Sequence, residues 1–135
     1  MRIILLVLFA FTIFQSNAQE ERPVKKDQDG VVITYEFNEL KGKRAEEGPQ
    51  ELCVFLQNNN EYDVKISFSL AFFADGLVIE ESAVLKLCAK SGKELKGKKL
   101  GLCWLITEEN DQKMKVDAFD WDLNDLSVEK IASCK

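Results

Sequence analysis

The sequence contains no histidine. Without imidazole it cannot build a Ser-His-Asp or Cys-His nucleophile, or any His-ligated zinc site. None of its four cysteines, Cys53, Cys88, Cys103 and Cys134, is spaced as CxxC, so neither a redox-active pair nor a zinc knuckle is encoded. No apolar run reaches the roughly 20 residues that a membrane-spanning helix needs. No stretch of useful length carries a helical period, and no internal repeat is present. Basic residues are outnumbered 18 to 23. Phosphate therefore repels the chain as a whole, which excludes a general nucleic-acid partner.

What is present begins with an export pattern. Arg2 is a short positive start, residues 3–14 are apolar apart from Thr12, and Ser16-Asn17-Ala18 supplies small residues at the positions a signal peptidase reads. This predicts a signal peptide over 1–18, cut after Ala18, and a secreted or periplasmic product. No cysteine stands at the cut to carry a lipid. The 117 residues that remain make one domain, with 17 basic and 23 acidic residues and a net charge of −6. Export and an even cysteine count predict two disulfides. Three pairings are open. The spacing favours Cys88–Cys103, closing a hydrophilic loop, with Cys53–Cys134 tying the C-terminus to an inner strand.

The stretch 58–82, NNNEYDVKISFSLAFFADGLVIEES, organises the rest. After the asparagine turn, Tyr62, Val64, Ile66, Phe68, Leu70 and Phe72 alternate with Asp63, Lys65, Ser67, Ser69, Ala71 and Phe73. Period two marks a strand with one buried face. Asp75-Gly76 is a tight-turn signal, and Leu77-Val78-Ile79 starts the return strand. Polar Glu80-Glu81-Ser82 then predicts a bulge or strand switch before the chain resumes at 83–88.

Around this hairpin, residues 19–30 are charged and read as a flexible lead-in to a domain over 31–135. Residues 31–37 alternate as a strand, 38–50 form a polar loop, and 52–57 and 102–107 are inner strands apolar on both faces. Residues 89–101, AKSGKELKGKKLG, hold three glycines and five lysines and read as a long exposed loop. Residues 108–112 make a turn. Residues 113–123 form a strand with one phase shift, Asn124-Asp125 a turn, and 126–131 a short edge strand. About seven strands without helices predict an all-β fold, an antiparallel two-sheet β-sandwich stapled by disulfides.

The run of asparagines, alternating YDVKISFSLAFF and DG turn resembles the core of small exported immunoglobulin-like or transthyretin-like sandwich domains, such as the FxLYD-type domains of bacterial envelopes. That resemblance covers residues 58–81. It implies a fold and an envelope or extracellular setting, and it transfers no functional residue. The FxLYD motif itself is absent. Trp104 follows Cys103 in an order that a true immunoglobulin domain does not use.

Chemistry must come from carboxylates, lysines and hydroxyls. Glu80 and Glu81 are adjacent on a strand and point to opposite faces, and Glu46-Glu47 lie in a loop, so neither pair reads as catalytic. Asp120, Asp122 and Asn124 match the first spacings of a calcium loop, but Asp125 occupies its glycine place and Ile131 its bidentate-Glu place. A solvated acidic strand face is the better reading, so no metal or cofactor is expected. Lys90, Lys93, Lys96, Lys98 and Lys99 form the most distinctive surface. They suit an anionic glycan, a lipid head group or an acidic protein, or they solvate a loop and guard an edge. An up-and-down strand order puts them at one end of the sandwich with residues 58–60, Lys25-Lys26 and Asn124-Asp125, and puts Lys41, Lys43 and Arg44 at the other. The expected function is an exported, non-catalytic binding or structural module. A secreted enzyme inhibitor and a carboxylate hydrolase are the alternatives.

Overall fold

The computed structural model describes residues 21–39, 51–106 and 119–135. The expected signal peptide, the basic residues Lys41, Lys43 and Arg44, Glu46-Glu47, the expected turn at 108–112 and the expected strand start at 113–118 lie outside them. The chain folds as two antiparallel sheets, as the alternation predicted.

One sheet contains β1 (Val24–Gln28), β2 (Val31–Asn38), β3 (Glu51–Asn58), β7 (Glu94–Leu95) and β8 (Cys103–Leu105). β7 and β8 lie end to end along one edge of β3, opposite its two halves. The second sheet is built on β4 (Val64–Ala74). β5 (Leu77–Glu81) and β6 (Leu85–Ala89) lie end to end on one side of β4, and β9 (Phe119–Lys130) runs along the other.

The β4 register follows its period of two. Val64, Ile66, Phe68, Leu70 and Phe72 are buried and meet Val31, Ile33, Leu52, Val54 and Leu56 from the other sheet. Lys65 is exposed on the opposite face. Tyr62, expected on the buried side, instead precedes the strand and is exposed, with the Lys130 ammonium over its ring. The β4–β5 turn has positive φ at both Asp75 and Gly76, the signature of a type I′ hairpin. The break expected near Glu80 is real. Register slips between Phe72 and Phe73, inserting one extra residue on β5. At the β5–β6 gap, the Ser82 hydroxyl accepts the Leu70 N–H at 2.9 Å, in place of a backbone carbonyl.

Three other segments depart from expectation. Residues 24–28 are not a lead-in: Asp29 and Gly30 repeat the positive-φ pair of the other hairpin, and the charged VKKDQ becomes the edge strand β1. Glycine suits position 30 because its φ is 76 and a Cβ there would displace the Asn60 side chain. Residues 124–125 do not turn the chain. Asp125 takes φ 51 and one extra residue of β9 bulges opposite Ser67–Ser69, so β9 continues unbroken. Residues 89–101 are not a free loop, since they hold β7 and a 3₁₀ turn over Lys98–Leu100.

The disulfides are Cys53–Cys103 and Cys88–Cys134, which overturns the favoured pairing. β8 returns beside β3 in a register that sets Cys103 directly opposite Cys53. Cys88 lies opposite Lys65, and the chain leaving β9 folds back past Asp63 to reach it. Neither bond crosses between the sheets, as the immunoglobulin bond does.

Candidate functional site

The lysines of residues 89–101 do not gather at one pole. The Lys93 carbonyl accepts the Asn58 N–H at 3.0 Å, while Lys98 Nζ lies 2.9 Å from Glu51 Oε2. These contacts sit at the two ends of β3, about 24 Å apart at the rise of an extended strand. From Lys93 onward the lysines thus line the outer edge of the first sheet, whereas Lys90 follows β6 of the second. Glu51 is a buried carboxylate, and Lys98 supplies its counter-charge. Lys96 Nζ is 3.7 Å from Glu94, whose other oxygen accepts from Arg22. Lys90 acts electrostatically on Asp63. Lys93 and Lys99 make no ion pair among the described residues. Of the neighbours expected beside this loop, Asn58 is met at the Lys93 and Ala89 carbonyls, and the Asn60 carbonyl accepts from the Ser91 hydroxyl at 2.7 Å. Lys25 is re-aimed by a bulge onto Trp121, and Asn124-Asp125 sit within β9.

The asparagine run is a structural hub. Asn58 is fully buried; its Nδ2 donates to the carbonyls of Tyr62 (2.9 Å) and Ala89 (3.1 Å), and its Oδ1 accepts from Asn60 N and Nδ2. Asp63 accepts the N–H of Cys134 on one oxygen and that of Ser91 on the other. These two bonds, aided by the Lys90 charge, hold its carboxyl below the usual range.

Among the described residues, Asp120 and Asp122 do not converge on a cleft. Asp120 and Asp122 are exposed on β9, each carboxylate accepting the N–H of the following residue. With Asn124 they lie on an extended strand, whereas a calcium loop must curl around its ion. Glu51, Cys53 and Cys103 lie close enough to suggest a metal cluster, but both sulfurs are spent in the disulfide and offer no thiolate.

One surface escaped the sequence reading. Leu77, Val78 and Ile79 start β5 with 72%, 55% and 42% of their surface exposed. Three other sheet edges are managed. The Trp121 and Leu126 carbonyls of β9 accept from Lys25 and Gln28 of β1, at 2.5 and 3.2 Å. β1 itself is charged, and lysines line the β7–β8 edge. Among the described residues, β5 pairs with β4 alone and has neither cover nor a lysine. The missed signal was LVI with no polar alternation, directly after a turn. Searches against protein-family models, curated proteins and solved structures find no match to this chain.

Proposed function

We propose that this chain is an exported, non-catalytic binding module that takes an extended segment of a partner protein along β5. One observation carries the reading: three consecutive apolar side chains are exposed on a strand whose outer edge is unpaired among the described residues. Covering such side chains stabilises a complex by about 1.5–3 kcal/mol each, before ordering costs. An uncovered apolar edge is otherwise a site of aggregation. Two disulfides and the N-terminal export pattern support an extracellular or periplasmic setting. The flat, outward placement of Asp120 and Asp122 supports binding over hydrolysis. The lysine row fits the role of an edge guard, with Lys93 and Lys99 as the remaining anion contacts.

Capture from the native extracellular fraction tests the proposal. In a two-residue hairpin the pair flanking the turn is hydrogen-bonded, so the next residue, Val78, turns its N–H to the open edge. Val78→Pro removes that donor and leaves the pairing with β4 intact. It should lose the captured partner at unchanged thermal stability, while a Lys93→Gln, Lys99→Gln variant keeps it. Undiminished capture by Val78→Pro sinks the proposal. Loss only in the lysine variant would move the site to the lysine row.

A further inference from the structure

We infer that the β5 edge accepts an extended peptide running antiparallel to β5, with basic residues ahead of apolar ones. This rests on the reading of β5 as the binding edge and specifies its occupant. The edge has polarity: Leu77, Val78 and Ile79 come first, Glu80 and Glu81 follow, and all five are exposed. Every described strand pair is antiparallel, and antiparallel pairing is the more stable per residue. The first residues of an antiparallel partner therefore face Glu81 and Glu80, and its later ones face Ile79, Val78 and Leu77. Glu80 and Glu81 point to opposite faces, so a partner meets both with two consecutive basic residues.

The surroundings strengthen that demand. Glu81 lies opposite Ala71, whose other neighbour is Asp122, and Val78 lies opposite Phe73, whose other neighbour is Asp120. The outer face beside the edge thus adds two acids. A second copy of this chain is a poor occupant. Self-pairing centred on Val78 sets Asp75 against Glu81. Centring it on Ile79 sets Leu77 and Val78 against Glu81 and Glu80. The first arrangement repels, and the second covers apolar side chains with carboxylates.

Fluorescence anisotropy on the full chain tests this with three capped, labelled peptides. One has two lysines followed by alternating valine and threonine. The second reverses that order, and the third replaces the lysines with glutamates. The lysine-first peptide should bind about tenfold tighter than either, as two exposed charge pairs allow. The gap should close toward 1 M salt, where the screening length falls to about 3 Å. Glu80→Lys with Glu81→Lys should transfer the preference to the glutamate peptide. Val78→Pro should abolish binding, and Val78→Thr, which keeps the N–H, should restore it. Equal affinities for all three peptides, with Val78→Pro still inactive, would overturn the inference and leave the edge as the site. Binding untouched by Val78→Pro would overturn both. A concentration-dependent dimer lost in Val78→Pro would show that the occupant is a second copy.

Discussion

Replacement of Asn58 by alanine removes the centre of the polar hub. Its side chain makes four hydrogen bonds, and it is fully buried. Each is worth about 0.5–1.5 kcal/mol net, and a buried group left without a partner costs about 1–3 kcal/mol. The Ala89 carbonyl is stranded, because its bond to Asn58 is buried. The Tyr62 carbonyl and Asn60 are nearer the surface, where water replaces part of the loss. Together these terms predict a loss of about 3–5 kcal/mol for Asn58→Ala, a large part of the 5–15 kcal/mol that holds an ordinary domain. Asn59→Ala is the control. Asn59 is exposed, and among the described residues its one hydrogen bond runs from its backbone N–H to the Gly30 carbonyl, which alanine keeps, so its loss should stay within about 0.5 kcal/mol. Urea melts of the oxidised protein, fitted at constant slope, measure both. A loss below 1 kcal/mol for Asn58→Ala, or equal losses for the pair, would refute the hub.

The core register predicts that Phe68→Ala costs about 3–5 kcal/mol and Lys65→Ala far less, measured in the same melts. Thiol titration of the denatured, unreduced protein should find no free thiol, and peptide mapping should join Cys53 to Cys103 and Cys88 to Cys134. A Cys88–Cys103 peptide would contradict the strand pairing itself. Asp63 gives a pH dependence of known sign. Its folded carboxyl lies below the ordinary value, so its contribution is full above about pH 4 and fades as pH falls through the folded value. Asp63→Asn should therefore flatten the acid limb of stability against pH, and an unchanged limb would remove Asp63 from that role.

The legible part of the fold was the part written in side-chain period. The β4 alternation named its own buried face, because a one-residue slip would have turned Phe68 into solvent. β1 was missed for a physical reason. Edge strands carry charge to avoid pairing, so VKKDQ has a linker's composition, although its Asp29-Gly30 turn matches Asp75-Gly76. The turn read at Asn124-Asp125 was a bulge, because a local positive φ serves either geometry and only the partner strand distinguishes them. The lysine loop was legible as charge. It was not legible as an edge, since two-residue β7 is set by pairing with Leu56 and Gln57.

By itself, the sequence determined the class of fold, the central hairpin and its inner face, the export pattern and the exclusion of imidazole chemistry. Each depends on residue identity or on neighbours in the chain, and short-range physics suffices for both. Tertiary structure decided which cysteines meet, which lysines are held in ion pairs, that Asn58 is buried rather than a solvated turn residue, and that LVI lies on an edge left unpaired among the described residues. Those facts depend on what stands one strand away. A strand's sequence specifies which side chains share a face, but says little about which neighbour lies 4.8 Å to its left or right.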